Sequence, residues 1–315
     1  MRRSFPSVMV RALCLGSWLL APGPWPLFQE PVASGQEPAA GGQQLLAEAV
    51  RRLDGQTAIS AELRYRVNAF GHDLAGTGSY LQLGAGPQRL LRLELRMQVG
   101  EQPATLLEIR GTDRYWIRRD VPPNPPTLGR VNLVQLRRGL RRPDQPGGDD
   151  ALPRGAWIIL GGLPRLLEAL ENHFDFAAPR ADEVFVAGSG GERQALPIWV
   201  LDGKWKPDRL AALSGRQSPA EGSLPEQLPD RVEIVLDRSD QSLPLFPYRV
   251  SYWKSAPQTA GNAAAQRELL SLELFNVHRS GQIDSRQFEY HAGDQEVLDL
   301  TAAYIQRLGG PARQR

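Results

Sequence analysis

The sequence predicts an α+β fold built on a long antiparallel sheet. Three observations carry this. Apolar and polar residues alternate with period two through segment after segment, the mark of strands with one wet face. Successive strand segments lie about ten residues apart with no helix between them, which joins neighbours as hairpins rather than as parallel crossovers. Helical spacing is confined to the start, the middle and the end of the folded part.

The elements follow in order. Residues 1–35 read as a secretory signal: Arg2-Arg3, an apolar run over Val8–Leu20, prolines at 22, 24 and 26, and small residues at Ala33-Ser34-Gly35. The run is too short to span a bilayer easily, and an uncleaved N-terminal anchor is the lesser alternative. Residues 36–42 are a small-residue linker, and one domain is expected over 43–310. Leu45, Leu46, Ala49, Val50 and Leu53 then share a helical face, ended by Asp54-Gly55. Ile59–Val67 alternates, with Leu63, Tyr65 and Val67 on one face. Gly76–Leu83 is a second strand. Arg89–Val99 is the clearest, setting Leu91, Leu93, Leu95 and Met97 against Arg92, Glu94 and Arg96. Thr105–Arg110, with Leu107 and Ile109, and Asp113–Arg118, with Trp116, continue the meander through a turn at Gly111-Thr112.

Pro122–Pro126 breaks the pattern. A helical insertion at about 127–175 is expected next: Leu128–Leu140, with Val131, Val134 and Leu140 on one side, then Trp157–Leu160 and Leu163–Phe174. Strands resume at Glu183–Ala187 and Leu196–Leu201, with a turn at Asp202-Gly203. After a helical turn over Pro207–Leu213 come Arg231–Asp237, with Val232 and Ile234, then Tyr248–Lys254, with Val250, and Glu268–His278, with Leu270 and Leu272. Val297–Leu308 closes the chain as a helix.

Composition excludes several functions. The first 35 residues hold three of the 37 basic residues and one of the 35 acidic ones, so the remainder is balanced at 34 each. No phosphate-neutralising surface, and hence no nucleic-acid partner, is expected. The single cysteine, Cys14, lies in the leader, which removes a disulfide framework and a cysteine nucleophile from the exported chain. No phosphate-loop, dinucleotide, zinc-protease or nucleophile-elbow motif is present, and the four histidines have no ligand spacing. We therefore expect no catalytic residues, no metal and no cofactor.

Four stretches in this order resemble the LolA-like family of periplasmic lipoprotein carriers. They are Leu45–Leu53 running into Ile59–Phe70, Gly76-Thr77-Gly78-Ser79-Tyr80-Leu81 before the Leu91–Met97 strand, Gly111-Thr112-Asp113-Arg114-Tyr115-Trp116, and the tail from Leu272 through Ile283–Phe288 to Gly293–Asp299. The resemblance implies an incomplete, half-open antiparallel β-barrel with helices covering its concave face, exported to the periplasm. It also implies non-enzymatic binding or carrying of lipid or lipoprotein acyl chains, with a membrane protein as donor or acceptor. Each methylene removed from water in such a hollow is worth about 0.8 kcal/mol. The expected wall is Leu63, Tyr65, Val67, Leu91, Leu93, Leu95, Met97, Leu107, Ile109, Trp116, Val232, Ile234, Val250, Leu270 and Leu272. The expected lid is Val131, Val134 and Leu140. The family keeps an Arg-Pro pair after its second strand, and Leu83-Gly84-Ala85-Gly86-Pro87 lacks that arginine. An interaction or envelope-sensing module on the same fold is the alternative.

Overall fold

Apolar alternation over so many consecutive segments demands one large sheet, and the computed structural model shows it. The structure describes residues 41–69, 72–99, 102–140, 156–187, 193–213, 228–239, 243–255, 266–279 and 282–309. The expected leader and the segment at 256–265 lie outside the described residues.

Helix α1 (Gly42–Asp54) opens the chain. Strands β1 (Ala58–Ala69), β2 (His72–Leu83), β3 (Leu90–Val99), β4 (Gln102–Arg110), β5 (Arg114–Asp120) and β6 (Thr127–Asn132) form an antiparallel meander. Then come α2 (Leu133–Leu140), α3 (Trp157–Leu160), α4 (Leu163–His173), β7 (Phe174–Phe176), β8 (Arg180–Ala187), β9 (Arg193–Trp205) and α5 (Pro207–Leu213). The chain ends with β10 (Arg231–Asp237), β11 (Pro247–Ser255), β12 (Gln266–His278), β13 (Val297–Asp299) and α6 (Thr301–Arg307). All thirteen strands join one sheet in the order β13-β6-β5-β4-β3-β2-β1-β12-β11-β10-β9-β7, with β8 also on β9. Among the described residues the two ends of this order do not pair, so the sheet is an open barrel. Every pairing is antiparallel except β13 on β6.

The central seam is β1 against β12, which joins the first half of the chain to the last: Leu63 stands opposite Leu274, Tyr65 opposite Leu272 and Val67 opposite Leu270. Residues opposite one another share a face. The inner face of the whole sheet therefore follows from the registers, and nearly all its side chains join one buried cluster with the helices. The outer face carries charge in ladders, such as Arg64–Glu273 at 3.3 Å and Arg249–Glu233 at 2.8 Å.

Several sequence expectations are corrected by the structure. Thr127–Asn132 is a strand, not the start of a helix, because it completes the edge beside β5; only 133–140 is helical. The Asp202-Gly203 pair is not a turn. Strand β9 runs through it to Trp205, since Gly203 lets the inner-face ring of Phe176 approach to 2.7 Å of where a Cβ would stand. The closing helix is only Thr301–Arg307, preceded by β13, whose last residue Asp299 accepts from Thr301 N through Oδ1 at 2.9 Å.

Candidate inner-wall site

The inner wall is built from β1–β3 and β10–β12. Leu63, Tyr65 and Val67 on β1 share it with Leu91, Leu93, Leu95 and Met97 on β3, through Tyr80, Gly78 and Gly76 of β2. Leu270 and Leu272 on β12, Val250 on β11 and Val232 and Ile234 on β10 extend it. These candidates all face inward.

Leu107, Ile109 and Trp116 do not. Register sets Ile109 opposite Arg92 and Trp116, and Leu107 opposite Glu94 and Arg118, all on the outer face. Strand β4 is apolar on both faces because its outer face is also covered. The segment 284–290 crosses it: Arg92 donates to Gln287 O at 3.1 Å, Trp116 stacks on Tyr290 with ring centroids 5.4 Å apart, and Phe288 is buried. The inward positions of β4 are Leu106, Glu108 and Arg110 instead.

The lid also differs from expectation. Val131 is a buried wall residue of β6, and Val134 on α2 is 40% exposed. Leu140 packs against the core from a partly buried position. What crosses the wall is the antiparallel pair α1 and α4. Near β7, Gln43 of α1 donates to Glu171 O and accepts from Phe176 N. At the other end, α1 finishes beside β3 and α4 begins over Tyr80 and Leu91, which crowd Gly162. The pair therefore runs diagonally from the β7–β9 side to the start of β3. Leu46, Ala49 and Leu53 of α1 and Leu163, Leu166, Leu167 and Leu170 of α4 face the wall and are buried.

Two buried arginines fasten the closed end. Arg89, 1% exposed, donates to Gly161 O at 2.8 Å, to Asp54 O at 2.8 Å and to Asp54 Oδ1 at 3.0 Å, tying the ends of α1 and α3 to the start of β3. Arg110 donates to Ile159 O at 3.1 Å, to Pro87 O at 3.0 Å and to Arg89 O. Burial, with the nearby charges of Arg137, Arg89 and Arg165, pulls its pKa down to about 10. Sequence reasoning looked for an arginine in 83–87 and missed Arg89 two residues beyond. The signal was faint: a polar residue at the head of an otherwise alternating strand.

The diagonal lid leaves a gradient along the wall. Beneath the diagonal, Ile59, Leu63 and Leu91 at the start of β1 and β3, and Val232 and Ile234 on β10, have no exposed surface. Toward the open end, where β1, β3 and β12 approach residues 69, 97 and 270, the wall is half-buried at Tyr65, Leu74, Tyr252 and Leu270. Beside α6, on the other flank, Glu108 is buried facing Tyr115, whose ring meets Tyr304 edge-on at 5.9 Å. Burial pushes the Glu108 carboxyl up to about 7, partly offset by Tyr115, Arg119 and Arg307. Among the described residues, no cluster of three or more His, Cys, Asp or Glu is placed to hold a metal. Also among them, no helix is long and apolar enough to cross a membrane.

The class defined by this geometry is an open antiparallel half-barrel with helices across its inner face. No protein-family model matches the chain, and no curated protein matches it by sequence. Among solved structures it is similar to LprF from Mycobacterium bovis, at 11% identity and a TM-score of 0.37 over 78% of this chain and 96% of that one. It is similar to lipoprotein LppX from Mycobacterium tuberculosis, at 11% identity and a TM-score of 0.34 over 77% and 98%. It is also similar to a LolA superfamily protein from Nitrosomonas europaea, at 11% identity and a TM-score of 0.26 over 80% and 99%.

Proposed function

We propose that this protein is an exported, non-enzymatic binder of lipid or lipoprotein acyl chains, which enter the inner wall at its open end. The burial gradient carries this reading. Apolar side chains at Tyr65, Leu74, Tyr252 and Leu270 stand partly uncovered on a concave face that is dry beneath the helices, at Ile59, Leu63 and Leu91. Partly covered apolar surface continuous with a core is where a hydrocarbon chain gains most from leaving water. Penetration beyond this row requires α1 and α4 to lift from the wall.

A specific observation favours a second reading, a protein-interaction module. The wall beneath the lid is filled by the chain's own helices, with Leu63, Leu91, Val232 and Ile234 wholly covered. One experiment separates the two. Native mass spectrometry of gently purified protein should show retained lipid, lost in Leu270→Asp and kept in Arg92→Asp, which alters the outer face. Equal behaviour of the two substituted proteins refutes the wall assignment. A lipid-free protein that co-purifies with a protein partner establishes the module.

A further inference from the structure

The closing helix α6 covers a buried carboxyl. Register sets Glu108 on the inner face of β4, opposite Leu93 of β3 and Ile117 of β5. Tyr115 and Arg119 stand one row to either side of Ile117 on the same face of β5. Glu108 is 5% exposed. Above this face the Tyr304 ring of α6 meets Tyr115 edge-on, and the Arg307 guanidinium lies 5.8 Å from the centre of the Tyr304 ring. The groups facing Glu108 are thus Tyr115 and Arg119 from β5, and Tyr304 and Arg307 from α6. Strand β3 offers the apolar Leu93. Helix α2 adds Leu133 and Leu136 to the same core, while its Arg137 donates to Thr112 O at 3.0 Å. On β4 itself the next inward residue is Arg110, whose guanidinium donates to Ile159 O and Pro87 O instead.

Helix α6 is fastened differently at its two ends. Its first turn is tied to β6 by hydrogen bonds: Leu300 N donates to Arg130 O at 2.8 Å, and Asn132 N donates to Thr301 Oγ1 at 2.9 Å. Its last turn is seated through side chains: Tyr304 on Tyr115, Ile305 against Gly139 of α2, and the buried Leu308. The strands around Glu108 are locked in ladders on both sides, whereas the last turn of α6 can move without breaking any of them. Burial outweighs the two arginines and holds the Glu108 carboxyl at about 7. Burial also keeps the Tyr115 and Tyr304 hydroxyls protonated. The charge in this cluster that changes near neutral pH is therefore that of Glu108. Once ionised, the carboxylate regains water if Tyr304 lifts, and Arg119 on β5 stays beside it.

We propose that Glu108 is a proton switch for α6: protonated, it leaves the last turn seated on Tyr115; ionised, it makes that turn swing out about Thr301 and uncover the Tyr115 flank of the inner wall. The device operates whether or not the wall binds acyl chains. The seated form holds the proton more tightly, so opening grows as pH rises between about 4.5 and about 7, then levels off. Between pH 5 and pH 8 the open population should rise about seventyfold. A seven-residue helix is not stable away from its seat, so its amides exchange once it lifts. The test is hydrogen exchange of the full chain, corrected for the intrinsic effect of pH on amide exchange. Protection of 302–308 should fall about seventyfold from pH 5 to pH 8. The fall should be the same in about 1 M urea, the mark of a local opening. Glu108→Gln, which keeps the shape and removes the charge, should keep α6 protected at both pH values. A fall that persists in Glu108→Gln assigns the titration to another group and overturns the switch. Protection that is flat or rises with pH overturns it too, because Arg307 then clamps the ionised carboxylate. So does a fall that steepens with urea, which means that the whole sheet unfolds.

Discussion

Glu108→Gln should stabilise this protein at neutral and alkaline pH. A carboxyl whose pKa is 4.5 in the unfolded chain and about 7 in the folded one holds its proton about 3 kcal/mol more tightly when folded. The sign follows from linkage. Below about 4.5 the group is protonated in both states and costs nothing. Between 4.5 and 7 only the unfolded chain releases the proton, so stability falls as pH rises. Above 7 both states are ionised and the loss levels off at about 3 kcal/mol. Glutamine keeps the shape, faces Tyr115 without a charge, and removes the titration. Urea unfolding at pH 5 and pH 8 measures this: between the two, the wild type should lose about 2 to 3 kcal/mol more stability than the Glu108→Gln protein loses. The reasoning fails if the glutamine protein shows the same pH dependence as the wild type, or if it is the less stable of the two at pH 8. The latter result means that Arg119 and Arg307 stabilise an ionised Glu108 more than burial opposes it.

Other outcomes follow from the same packing. Arg89→Met removes three hydrogen bonds to α1 and α3 and should cost about 3 kcal/mol; hydrogen exchange should accelerate in 42–54 and 157–173 before it does in β1–β3. Gly162 has φ +84° and its added Cβ would lie 2.6 Å from the Tyr80 hydroxyl, so Gly162→Ala should lower the thermal midpoint through a loss of about 2 kcal/mol or more. Trp116→Ala unstacks Tyr290 and should cost about 1 kcal/mol in urea unfolding, yet leave acyl binding unchanged because the ring lies outside the wall.

The meander was legible because its wet outer face makes the alternation visible. In β1 and β3 every second residue is charged or polar, and these strands and their facing followed directly from the sequence. Strand β4 defeated the same reasoning for a physical reason. Leu106 and Leu107 are adjacent, one toward the core and one toward the 284–290 segment, so period two vanishes where both faces are covered. Strand β6 was hidden because Leu128, Val131 and Val134 fit a helical stripe as well as a strand, and only the unpaired edge of β5 decides between them. The lid was misplaced because its fastening is a tertiary event. Asp54 and Gly161 lie 35 and 72 residues from the Arg89 that binds them both, and no local pattern marks them.

The energetics of the lid bear on what the wall can hold. Six leucines of α1 and α4 (Leu46, Leu53, Leu163, Leu166, Leu167 and Leu170) lie buried against it. At about 2 kcal/mol each, exposing them costs about 12 kcal/mol. A sixteen-carbon chain arriving from water recovers about 0.8 kcal/mol per methylene, and so about 12 kcal/mol when fully buried. The two nearly cancel. A chain arriving from a bilayer has already left water and recovers almost none of this, so one chain taken from a membrane cannot evict the helices. On the acyl-binding reading it occupies only the partly covered positions at Tyr65, Leu74, Tyr252 and Leu270, which lie outside the lid. Deep loading therefore demands a second source of free energy.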